Sequence, residues 1–167
     1  MASFNQIMTD LKNKKYKPLY LLMGEEAYYI DKISEYIAKN VLTEQEKDFN
    51  LTILYGKDTD VTTVDHASRR FPMMSKYQVI ILKEAQNLQK IDNLVHYATK
   101  PSKSTILVVN YKYKSINRNK KVYKAFDKNG VVFSSKKIYD NQVPDWVISY
   151  LRQKQYTISP AGCALMS

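Results

Sequence analysis

One cysteine, Cys163, stands among the 167 residues, so an internal disulfide is excluded and a reducing compartment suits the chain. Histidine is almost as scarce. His66 and His96 have no ligand-type partner at i+3 or i+4, so neither reads as nucleating a metal site and each reads as a helix surface residue. The G-x-S-x-G elbow of serine hydrolases is missing, and no histidine is placed to activate Cys163. No apolar run approaches the length needed to span a bilayer. The opening MASFNQIM lacks the basic region and continuous apolar core of a signal peptide. These absences together give the expectation of a soluble, cytoplasmic protein.

What is present is a 44% hydrophobic composition, 14 tyrosines and a formal charge of +10. The length suits one domain with part of a second. The charge invites an acidic partner such as nucleic acid, although lysines also serve simply to solvate an ordinary surface.

The stretch Pro18–Lys32, PLYLLMGEEAYYIDK, organises the rest. It reads as a short apolar strand, a turn at Gly24 and a helix opening near Ala27, the unit with which nucleotide-binding α/β domains begin. The phosphate-binding pattern G-x-x-x-x-G-K-[ST] supplies a closing glycine, a lysine and a magnesium-binding hydroxyl. Counting from Gly24, those positions hold Tyr29, Ile30 and Asp31. Glu25 and Glu26 add carboxylates where a triphosphate would lie, and like charges 4 Å apart repel by roughly 4 kcal/mol at an effective dielectric near 20. The loop is degenerate, and no cofactor is expected.

Before that strand, Ser3–Gln6 matches a capping box for a helix running to about Asn13. After it, Ile30, Ile33 and Ile37 mark the buried face of the second helix. FNLTILY, residues 49–55, alternates as a strand, and Asp58, Thr59 and Asp60 offer caps for a helix through Val61 and Phe71, stopped by Pro72. VIIL, residues 79–82, reads as a strand buried on both faces. Leu88, Ile91, Val95 and Ala98 mark a helix, TILVVN (105–110) a further strand, and Asn117–Lys128 a basic helix stopped at Asn129-Gly130. Val131–Ser134 makes a fifth strand. Strands alternating with helices imply a three-layer α/β/α parallel sheet over residues 1–139. Pro144, Trp146 and Tyr150 then open what reads as a small helical lid domain over 140–167, ending in mid-pattern as a fragment of a longer protein does.

A working ATPase also needs an acidic pair after its third strand. Here VIIL runs into Lys83-Glu84, a cation in the first acid's place. Asn110 sits where a polar residue would sense a γ-phosphate, and a structural role suits it as well. Nucleotide hydrolysis is therefore not expected.

Two further stretches carry a functional and a bland reading side by side. In Arg69–Lys76, RRFPMMSK, Phe71, Pro72, Met73 and Met74 form either a projecting apolar tip suited to a partner's pocket or core filler under the sheet. In Tyr111–Lys124, YKYKSINRNKKVYK, the cations Lys112, Lys114, Arg118, Lys120, Lys121 and Lys124 interleave with tyrosines. They suit either phosphate contact and base stacking or a solvated helix face.

Taken together, PLYLLMGEEAYYIDK, FNLTILYGKDTD, RRFPMMSKYQVIILKEAQ, TILVVN with its basic helix, and VPDWVISYLRQKQYTISPAGCAL resemble the delta subunit of the bacterial DNA polymerase III clamp loader. The resemblance covers nearly the whole chain and rests on the order and spacing of these segments. It implies an AAA+-like fold without ATPase function, as a non-catalytic member of the polymerase assembly. It further implies a subunit that binds the ring-shaped sliding clamp, the beta subunit, and opens it for loading on primed DNA. The implied clamp contact is a pair of large apolar residues after the helix before strand three, which falls on Met73 and Met74, with Phe71 and Pro72 shaping the turn. The family commonly has leucine or phenylalanine there. Contacts with the other loader subunits are implied for a collar domain beyond this sequence. The alternative from another class is a DNA-binding or repair module using the Tyr111–Lys124 face.

Overall fold

Ser3 opens the first helix, its hydroxyl accepting the Gln6 N–H at 3.2 Å. Only half of the expected capping box forms, because the Gln6 amide donates to Asp10 one turn further on. The computed structural model describes residues 2–135. Within them lie the helices α1 (Phe4–Lys12), α2 (Ala27–Asn40), α3 (Glu44–Asn50), α4 (Val61–Arg69), α5 (Val95–Thr99) and α6 (Lys121–Asn129). The strands are β1 (Leu19–Gly24), β2 (Leu51–Tyr55), β3 (Gln78–Lys83), β4 (Thr105–Lys112) and β5 (Val131–Ser135). Cys163, the expected lid domain and the boundary near residue 140 lie outside the described residues.

The five strands form one parallel sheet in the order β2-β3-β4-β1-β5. Alternation along β1 divides the core. Leu19, Leu21 and Met23 face the side covered by α4, α5 and α6, whereas Tyr20 and Leu22 face α1 and α2. That is the three-layer α/β/α architecture expected from strands separated by helices. The central strands are buried on both faces, which is why β1, β3 and β4 read as unbroken apolar runs. Each fully buried Leu or Ile contributes about 1.5–3 kcal/mol.

Three elements differ from the sequence reading. Phe49 and Asn50 end helix α3 instead of beginning a strand. Thr43 and Glu46 form a reciprocal capping box, Thr43 N–H to Glu46 Oε1 at 2.9 Å and Glu46 N–H to Thr43 Oγ1 at 3.2 Å, which nucleates a helix just before the alternating residues. The helix expected from Leu88 to Ala98 is reduced to a 3-10 turn, Ile91–Leu94, and the five-residue α5, with Lys90 before them in left-handed backbone. Its apolar residues still point inward, so the periodicity survives in the packing but not in the hydrogen-bond ladder. The basic helix begins at Lys121, not Asn117, because the Asn117 side chain accepts the Asn119 N–H at 2.8 Å and holds a turn. Gly130 caps the helix end as expected and also permits close approach: a Cβ there would lie 2.3 Å from the Leu19 carbonyl oxygen.

Candidate functional site

The loop after β1 stands at the carboxyl end of the sheet, where open α/β folds bind ligands. A phosphate loop binds anions through backbone N–H groups with no partner in the protein. Here those groups are taken. Gly24 N–H donates to the Lys114 carbonyl at 3.0 Å, Glu25 N–H to the Ser135 carbonyl at 3.3 Å, and Glu26 N–H to Ser135 Oγ at 3.1 Å. Gly24 has φ +119°, and a Cβ on it would meet the Ser135 carbonyl oxygen at 2.0 Å, so β5 closes directly over the turn. Glu26 occupies the N-cap of α2, placing a carboxylate at the helix end that would otherwise attract phosphate.

The three positions that would complete a phosphate site have other duties. Tyr29 packs against Phe4 and Phe133, and burial followed by the Glu26 carboxylate pushes its phenol up to about 12. Ile30 is in the core. Asp31 is ion-paired with Lys112 at 2.7 Å. At the end of β4, Asn110 is buried and exchanges hydrogen bonds with Ser34 of α2 at 2.9 and 3.2 Å. It thus ties β4 to α2. Lys83 ends β3, and Glu84 follows in left-handed backbone. His66 and His96 are exposed on α4 and α5, apart from this loop.

The second region lies between α4 and β3. Phe71, Met73 and Met74 are 86%, 59% and 100% exposed, so the methionines are not core filler. The base of this tip is pinned on both sides. Gln78 Nε2 donates to the carbonyls of Ala67 and Arg70 at the end of α4, and Thr105 Oγ1 donates to that of Ser68. Tyr97, whose phenol burial pushes up, donates to the Ser68 carbonyl as well. On the β3 side, Ser75 Oγ donates to the Tyr77 carbonyl, and the Tyr77 ring packs edge-on to Tyr16. At the apex Met74 adopts φ +54°, a left-handed conformation costing about 1 kcal/mol for an L-residue. The flanking cation Arg69 is held by Asp65 at 3.0 Å and lies over the Tyr97 ring.

Sequence reasoning missed Asn50. Buried at the end of α3, its side chain accepts the Met73 N–H at 2.7 Å and donates to the Met73 carbonyl at 2.8 Å. The capping pattern Thr43–Glu46 was the available signal, since it extends a helix to this residue.

The basic segment is split in its roles. Lys112 pairs with Asp31 and Lys120 with Asp92 at 2.9 Å, so part of its charge is spent within the protein. Arg118, Lys124 and Lys128 line an open cleft of about 370 Å³ with Tyr123 and Asp127. Lys121 opens α6, and Lys114 gives its carbonyl to the Gly24 turn.

The sheet order and the loop after β1 define an α/β domain of the phosphate-loop, AAA+-like class whose anion cradle is filled from within. Comparison with known proteins gives the family. The family model described as DNA polymerase III, delta subunit, matches residues 20–136, and the chain belongs to that family. DNA polymerase III subunit delta of Bacillus subtilis (strain 168) is 26% identical over 162 residues, covering 91% of this chain and 47% of that protein. The solved Bacillus subtilis DNA clamp loader delta protein (YqeN) superposes with a TM-score of 0.83 at 21% identity, covering 97% of this chain and 51% of that one. A variant of RuvB from Thermotoga maritima shares the fold more distantly, with a TM-score of 0.50 at 12% identity over 95% of this chain and 51% of its own. The chain thus spans about half the length of these Bacillus relatives. No helix among the described residues is long and apolar enough to cross a membrane.

Proposed function

We propose that this chain serves as a clamp-loader delta subunit of the replicative polymerase: it binds the ring-shaped sliding clamp through Met73 and Met74 and favours its open form. The observation that carries this reading is a fully exposed Met74 on a tip whose backbone is fixed at both ends. Each methionine buried in an apolar pocket contributes roughly 1.5–3 kcal/mol before ordering costs. A tip held in place beforehand keeps those costs small. Phe71 and Pro72 shape the approach. Methionine, unbranched and polarisable, adapts to a pocket where leucine or phenylalanine would fit more rigidly. The engaged amides after β1 support a role in which this subunit does not itself hydrolyse nucleotide and works beside other loader subunits.

The test is capture of the same organism's sliding clamp by the full-length protein, wild type beside Met73→Ala/Met74→Ala. Retention by wild type and loss in the double variant supports the reading; equal retention refutes it.

A second activity, DNA contact by the α6 region, has one observation in its favour: Arg118, Lys124 and Lys128 converge beside Tyr123 around a single cleft. Such a face attracts phosphates, while the Tyr123 ring itself is buried in the core.

A further inference from the structure

Asn50 is 2% exposed, yet its carboxamide is directed at the backbone of a loop 23 residues away. It completes a two-bond ring with Met73, accepting its N–H and donating to its carbonyl, as a neighbouring strand would. Its Nδ2 also donates to the Glu46 carbonyl at 3.0 Å, which fixes the amide's orientation within α3. Glu46 is itself the partner of Thr43 in the capping box, so the turn that orients the Asn50 amide is capped in its own right. One short helix therefore holds both backbone polar groups of the residue before Met74.

We infer that Asn50 is the positioning residue that presets the apolar tip in its projecting conformation. This rests on the reading of Met73 and Met74 as the clamp contact, but the conformational role can be measured without a clamp. An isolated apex with one left-handed residue and exposed methionines would sample many shapes, and ordering it on binding costs affinity. The Asn50 ring removes that cost in advance. Among the side chains of the tip and its base, Asn50 alone takes both the N–H and the C=O of Met73. Serine or alanine is too short to do this, and aspartate lacks the donor.

Two readouts on the full-length protein test the inference. The first is hydrogen exchange at the Met73 amide, resolved by mass spectrometry with electron-transfer fragmentation. Asn50→Ala should speed it at least tenfold, with Asn50→Asp between Asn50→Ala and wild type. Val132→Ala, a core truncation on the opposite edge strand, controls for general loosening and should leave that amide protected. The second is affinity for the sliding clamp, expected to fall about tenfold in Asn50→Ala and to hold in Val132→Ala. Unchanged Met73 exchange in Asn50→Ala overturns the positioning role, as does equal exchange in Asn50→Ala and Val132→Ala variants of matched melting temperature. Unchanged clamp affinity in Asn50→Ala, with binding lost in Met73→Ala/Met74→Ala, overturns its contribution to binding. If wild type binds no clamp, the reading of the tip fails, and Met73 exchange alone decides whether Asn50 sets its shape.

Discussion

Ser135 Oγ accepts the backbone N–H of Glu26 at 3.1 Å, while the carbonyl of the same serine accepts that of Glu25. The last described residue of β5 thus takes two of the donors that a phosphate loop offers to its ligand. With Gly24 N–H bonded to Lys114, three consecutive amides have protein partners. An anion would have to break those bonds and sit beside Glu25 and Glu26. Magnesium–ATP should accordingly leave the melting temperature unchanged in a thermal-shift titration. A true ligand at a hundredfold excess over its Kd would add about 2.7 kcal/mol and be plainly visible.

Gly24→Ala should destabilise the domain by roughly 3 kcal/mol, measured as a lower urea midpoint. The substituted residue would face both the left-handed φ of +119° and the Ser135 carbonyl at 2.0 Å from its Cβ. Gly130→Ala should also destabilise, because its Cβ would meet the Leu19 carbonyl.

The Glu46 carboxyl is held below its ordinary 4.5, first by the Thr43 N–H and then by the Ser75 hydroxyl. A lowered folded value means that the native state favours the ionised form. Its contribution is therefore complete above 4.5 and is lost as pH falls through the folded pKa. Unfolding midpoints taken between neutral pH and about pH 3 should fall in acid for the wild type and fall less for Glu46→Gln. Thr43→Ala should cost about 1 kcal/mol at neutral pH as a lost helix cap.

For DNA binding, the cations are not equivalent. Lys112 and Lys120 are paired with Asp31 and Asp92, whereas Lys124 and Arg118 border the open cleft. Lys124→Ala and Arg118→Ala should each reduce the slope of log affinity against log salt by about 1. Lys112→Ala should change it less. Fluorescence anisotropy with a primed duplex over a salt series measures both.

How much of this was legible in the sequence depended on the range of the interaction responsible. The central strands were readable because burial on both faces leaves an apolar run that flanking turns delimit. The departure from the phosphate-loop pattern was readable because that pattern requires particular residues at fixed spacing, and Tyr29, Ile30 and Asp31 stand there instead. Its closure by Ser135 was not, since that contact links residues 109 apart and leaves no local pattern. Strand β2 was begun two residues early because FNLTILY alternates well, whereas the Thr43–Glu46 capping box settles Phe49 and Asn50 as helix. That boundary concealed Asn50. The tip was legible as an apolar cluster at a proline turn, but only exposure separates a projecting methionine from a buried one.

The most direct test of the account is a calorimetric titration of the organism's sliding clamp into the full-length protein, wild type and Met73→Ala/Met74→Ala, with melting temperatures taken on the same samples. Loss of at least a hundredfold in affinity, equivalent to about 2.7 kcal/mol, with the melting temperature unchanged is the predicted result. Undiminished affinity in the double variant, or a loss that only follows the unfolded fraction, would contradict it.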